Sequence, residues 1–188
     1  MGMDIFGISP KLVGEKPEID WENANDSDKK LYFQELEKWE NNNPGHYFRA
    51  NVWSWRPLNL IIDYVNQKYE LDLETEGFGD NSGCGLDTQE ECDKLAEGLK
   101  QFLEKAELND EEDALYLCLG LWVDEKGAFI RNEDVEKELN EEFTYGRILQ
   151  GSVISKDGNR YYPAWSTSVS HINEFILFLQ HCGGFNIY

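Results

Sequence analysis

The apolar positions along this chain change period several times, and each change marks an element. Tyr32, Phe33, Leu36 and Trp39 recur at helical spacing among charges, which predicts a helix from Ser27 as N-cap to about Asn42, ended by Asn-Asn-Asn-Pro-Gly. Leu58, Ile61, Ile62, Val65 and Tyr69 form a second apolar stripe, and Pro57 is expected at its first helical position, where a missing N–H costs nothing. Cys92, Leu95, Leu99, Phe102, Leu103 and Ala106 form a third, with Asp87 as cap and Glu90 completing the capping pair. Ile172, Phe175, Ile176, Leu179 and Cys182 define a last helix, from about Ser168 to the stop at Gly183. A shorter acidic helix is expected from Asn132 to about Phe143.

Elsewhere the period is two. Met3 and Ile5 alternate with Asp4 and Phe6 before a glycine, and Phe185 to Tyr188 have the same character, so the two termini are expected side by side as paired strands. The run 114–123 satisfies both periods. The Asp-Glu-Lys-Gly after it favours a hairpin, 117–123 with 128–131. Lys156-Asp157-Gly158-Asn159 has the composition of a second hairpin turn. Together these elements predict an α+β fold in one domain, 1–188, with four or five helices packed on a small, mostly antiparallel sheet.

The stretch His46–Pro57 stands apart from these patterns. It holds Tyr47, Phe48, Trp53 and Trp55 beside Arg49 and Arg56, an aromatic density that can anchor a core or line a binding site. Three ordered segments, MGMDIFG at the start, YFRANVWSWRPL in the centre and CGGFNI at the end, resemble a family of small bacterial and phage proteins with MGMD, YFRxNVWxWRPL and SGGF at the corresponding places. The chain departs from that pattern at Ala50, Ser54 and Cys182. The resemblance implies a compact domain with the aromatic motif at its heart, and it implies no activity.

The chain has 37 acidic and 17 basic side chains, for a net charge of −20, and residues 61–145 alone carry 25 acidic and 7 basic groups. Such a block repels nucleic acid and anionic membrane and attracts basic protein surfaces. Helical rows containing Glu97, Glu104, Glu107, Asp110, Glu111, Glu112, Asp113, Glu138, Glu141 and Glu142 could imitate a phosphate array, against the commoner reading of a solvated helix face. The primary functional expectation is therefore a non-enzymatic interaction or inhibitor protein that engages a basic, nucleic-acid-binding protein surface, a role that would suit a phage-type family. No run reaches the roughly 18 apolar residues of a membrane span, and MGMDIFG has neither the basic n-region nor the apolar h-region of a signal peptide, so the expected location is cytoplasmic.

The alternative is a phosphate- or carboxylate-binding pocket built from Arg49, Trp53, Trp55 and Arg56. Against it stands a structural role in which the arginines stack on the tryptophans and pair with acids such as Asp63. Asp80, Ser82, Gly85 and Glu91 give a partial calcium-loop register, broken by Cys84 and Asp87 and equally explained by a polar loop before a capped helix. Three histidines and four cysteines lack metal-ligand spacing, free thiols are expected, and a pair such as Cys182 with His46 would have to be assembled by folding. No nucleophile elbow, phosphate loop or zinc-protease motif is present, and no cofactor is expected.

Overall fold

The computed structural model describes residues 2–106, 114–142 and 148–188. In chain order its elements are β1 (Gly2–Gly7), α1 (Asp26–Asn42), β2 (Tyr47–Asn51), α2 (Val52–Lys68), α3 (Gln89–Lys105), β3 (Ala114–Asp124), β4 (Phe129–Arg131), α4 (Asn132–Leu139), β5 (Ile148–Gln150), β6 (Val153–Ile154), β7 (Arg160–Ser168), α5 (Val169–Leu179) and β8 (Phe185–Ile187). This is the expected α+β class, with five helices among the described residues.

Two antiparallel sheets replace the single small sheet. In the first, β1 lies between β2 and β8, with Ile5 opposite both Phe48 and Ile187, so the termini pair as strands. In the second the order is β4-β3-β7-β6, and β5 also pairs with β3. The ambiguous run 114–123 is therefore strand, and Trp122 and Val123 face Ile130 and Phe129 across the predicted hairpin. The β3–β7 register shifts between Leu117 and Trp122, where Gly120 adopts a φ of +83°. The second hairpin turn also forms, with Gly158 at a φ of +85° and Val153 paired to Tyr161.

Alternation decides what the first sheet buries. Met3, Ile5, Phe48, Ala50, Phe185 and Ile187 face a core shared with α2, α3 and α5, whose inward residues include Trp55, Leu58, Ile61, Ile62, Val65, Leu95, Leu99, Phe175 and Leu179. Phe175 is the hub of this core, with Trp55 edge-on at 5.7 Å and Phe185 at 6.1 Å. A smaller cluster of Cys118, Trp122, Val135 and Tyr161 lies under α4. The glycine-rich segment 77–87 runs beside β8. Leu86 O accepts from Phe185 N at 2.8 Å, and a Cβ on Gly85 would stand 1.7 Å from the Phe185 carbonyl oxygen, which explains a glycine there.

Several boundaries differ from the expectation for local reasons. Asn25, not Ser27, caps α1, because its side chain accepts from both Ser27 N and Asp28 N. Only Trp39 of the predicted α1 face is buried, while Phe33 is 55% exposed. Thr88 and Glu91 make the α3 capping box in place of Asp87 and Glu90. α4 stops at Leu139, where Asn140 turns left-handed at a φ of +54°. α5 ends at Leu179, so Cys182 lies beyond it.

The largest shift is at Pro57. Asn51 caps α2 five residues earlier than expected, so Pro57 lies inside the helix and its ring nitrogen has no N–H for the Trp53 carbonyl. The whole VWSWR segment is thus helical, and Arg56 sits in the second turn, not ahead of an N-terminus.

Candidate functional site

Asn51 and Ser168 play the same local role on the two sheets. Each ends a strand and caps the helix that follows: Asn51 Oδ1 accepts from Trp53 N (2.9 Å) and Ser54 N (3.0 Å), and Ser168 Oγ accepts from His171 N (3.0 Å). The starts of α2 and α5 therefore meet in one groove of about 460 Å³, lined by Arg49, Ala50, Asn51, Trp53, Ser54, Ala114, Ser166, Thr167, Ser168 and His171. Its size is that of a small-molecule site.

The groove differs electrostatically from its surroundings. In a chain of net charge −20, no carboxylate lines it among the described residues. The first turns of α2 and α5 carry no acidic residue, whereas those of α1, α3 and α4 carry two each. Two helix N-termini, capped by the neutral Asn51 and Ser168 side chains, thus present their positive ends without a carboxylate in the first turn. The Arg49 side chain is 71% exposed, and its Nε lies 3.8 Å from Asp4 Oδ1, a loose contact that leaves most of the guanidinium available. Asp4 is also held by the Tyr47 hydroxyl, and burial together with that hydrogen bond raises the Tyr47 pKa to about 12.

Two polar atoms at this site have no hydrogen-bond partner among the described residues: Thr167 Oγ1 and His171 Nε2. Thr167 is only 4% exposed. It stands two residues from Trp165 on β7 and so shares its strand face, and Trp165 meets Trp53 of α2, which places Thr167 in the groove lining with Trp53 and Ser54. The His171 ring packs on Phe48 at 4.9 Å, with Nδ1 3.6 Å from Glu174 Oε2. Burial lowers the His171 pKa against the opposing pull of Glu174, which keeps the ring neutral at pH 7. A proton on Nδ1, facing Glu174, leaves Nε2 as an acceptor.

The aromatic–arginine candidates separate. Arg49 and Trp53 reach the groove. Trp55 is fully buried, donates from Nε1 to Phe78 O at 2.7 Å, and belongs to the core. Arg56 lies 5.2 Å over the Trp165 ring, and Trp53 stacks on the same Trp165 at 4.8 Å and 29°. Stacking is thus the role of Arg56, while Asp63, its suggested acidic partner, instead accepts from Thr75 Oγ1 at 2.8 Å.

The remaining candidates lie elsewhere. Glu97 and Glu104 are exposed on α3, on a surface where Lys94 pairs with Glu90 at 3.0 Å. Glu138 is engaged internally, accepting from Tyr161 Oη (2.5 Å) and Asn159 Nδ2 (2.7 Å), and these hydrogen bonds lower its pKa. Glu141 and Glu142 are exposed after α4, and Glu107 and Asp110–Asp113 lie outside the described residues. In the calcium-loop register, Glu91 accepts from Thr88 N and Oγ1, Ser82 Oγ contacts Cys84 Sγ, and no incoming helix precedes Asp80. Cys182 faces Cys92 with sulfurs 3.5 Å apart, and His46 packs on Trp39 at 4.8 Å, so the two are not partners. All four cysteines are free thiols.

Asn51, Ser54, Ser166, Thr167, Ser168 and His171 also line the groove, and no periodic pattern marks them as site residues. The available signal was the polar run Ser166-Thr167-Ser168 interrupting an aromatic strand just before an apolar helix. Comparison of the chain with protein-family models, with curated proteins and with solved structures finds no match in any of the three.

Proposed function

We propose that this chain binds a small anion, a phosphate or carboxylate, in the groove between the starts of α2 and α5. The observation that carries the reading is the buried Thr167 hydroxyl without a partner, placed where two helix N-termini and Arg49 converge and no carboxylate lines the walls among the described residues. Helix N-termini favour anions through their dipoles. Arg49 supplies a planar pair of donors, Thr167 Oγ1 a further donor, and the neutral His171 Nε2 accepts from a protonated ligand oxygen. One concavity along α1 is lined instead by Glu18, Asp20, Asp28 and Glu35 with no basic residue and would repel the same ligand.

Calorimetric titration with inorganic phosphate at low salt tests this. Binding that is lost in Arg49→Met, with thermal stability unchanged, supports it. No binding of phosphate or of a simple carboxylate such as citrate overturns it.

A second reading rests on the exposed carboxylates of α3 and of the segment after α4, among them Glu97, Glu104, Glu141 and Glu142. It is the engagement of a basic protein surface, with no direct contact to nucleic acid. Neutralising these four to Gln should abolish salt-sensitive capture of one basic protein from host lysate, and unchanged capture would reject it. No helix among the described residues is long and apolar enough to cross a membrane.

A further inference from the structure

Trp53 is ordered although it lies at the surface. It is 62% exposed, yet its ring is held in place by stacking on Trp165 at 4.8 Å and 29°, and Trp165 is itself covered by Arg56 at 5.2 Å. One face of the indole is therefore occupied and the other is open to solvent, at the rim of the groove that Trp53 also lines. An exposed aromatic ring that is already ordered can accept a flat partner at small entropic cost. The chain provides an anion site and a pre-ordered π face sharing one residue.

Resting on the anion reading above, we infer that the ligand is a free nucleotide, with its phosphate in the groove against Arg49 and Thr167 and its base stacked on the open face of Trp53. Phosphate and base are the two ligand parts that these two features recognise, by charge and hydrogen bonding and by stacking respectively. A groove of about 460 Å³ is of the size that holds such a molecule. The polymer is disfavoured. A strand would have to run its further phosphates past the remaining surface of a chain of net charge −20. A single phosphate meets only the groove lining, which holds no carboxylate among the described residues.

The experiment compares adenosine 5′-monophosphate, ribose 5-phosphate, inorganic phosphate and a single-stranded dodecanucleotide on the full chain, by calorimetry and tryptophan fluorescence. The expected result is that the mononucleotide binds about tenfold more tightly than ribose 5-phosphate, the gain of one stacked base, and quenches tryptophan emission. In Trp53→Ala the ratio of the two affinities should fall from about ten to about one, while Trp53→Phe keeps part of it. Equal affinity for mononucleotide and ribose 5-phosphate in the parent chain overturns the nucleotide inference and leaves the anion site standing. Binding of none of the phosphates overturns both. Tighter binding of the dodecanucleotide than of the mononucleotide would overturn the assignment to a free nucleotide.

Discussion

Replacing Thr167 by valine should stabilise the protein and weaken its anion binding at the same time. The side chain is 4% exposed and its hydroxyl has no partner among the described residues, so the folded state without ligand carries a buried polar group. Such a group costs about 1–3 kcal/mol, and valine has nearly the same shape without it. The variant should therefore gain about 1–2 kcal/mol, which for a chain of this size raises Tm by about 2–4 °C per kcal/mol. With an anion bound, the same hydroxyl makes a charge-assisted hydrogen bond worth about 1.5–3 kcal/mol, so Thr167→Val should weaken phosphate binding about tenfold or more. Differential scanning calorimetry and titration calorimetry on one preparation read both effects. A variant that loses stability and keeps its phosphate affinity would show Thr167 to be an ordinary packed residue with no part in anion binding.

Trp55→Ala should cost about 3–5 kcal/mol, as expected for a fully buried indole whose Nε1 also loses Phe78 O, and urea denaturation measures it. Arg56→Met removes an exposed cation over Trp165 and should cost no more than about 1 kcal/mol by the same method; a larger loss would mean that Arg56 anchors the fold. His171 has a pKa below its ordinary 6.5 because it is buried, with Glu174, Arg49, Thr167 and Phe48 as its neighbours from α5, β2 and β7. The unfolded chain then binds more protons than the folded one, so stability should fall as pH drops below about 6.5, and His171→Gln should flatten that slope in urea melts at pH 7.5 and 5.5. Tyr47 acts at the other end of the scale: with its pKa raised to about 12, the stability it contributes is intact below about pH 10 and lost between pH 10 and 12, a loss that Tyr47→Phe should reduce.

The parts of the fold legible in the sequence were those where one period runs uninterrupted. The inward faces of α2, α3 and α5 and the pairing of the two termini follow directly from apolar spacing, since a stripe of leucines and phenylalanines has one way to leave water. The start of α2 was not legible because proline at a first helical turn is so common that Pro57 masked the true cap; Asn51, accepting from Trp53 and Ser54, acts with the burial of Trp55, Pro57 and Leu58 to offset the missing N–H. That single misplacement moved Arg56 from a helix terminus to a stacking role and separated Trp53 from Trp55, which lie two residues apart and so point to different sides of a helix. The far wall of the groove could not be read locally at all. Ser166, Thr167, Ser168 and His171 reach Arg49 and Trp53 only because β7 packs against α2, and no short-range pattern encodes that contact.

The most direct test of an anion site in this groove is a two-dimensional amide NMR titration of the full chain with inorganic phosphate. Saturable shifts concentrated in the segments 51–54 and 166–171, which line the groove at the two helix starts, are the expected result. Shifts absent there, or spread instead over α1 and α3, would contradict it.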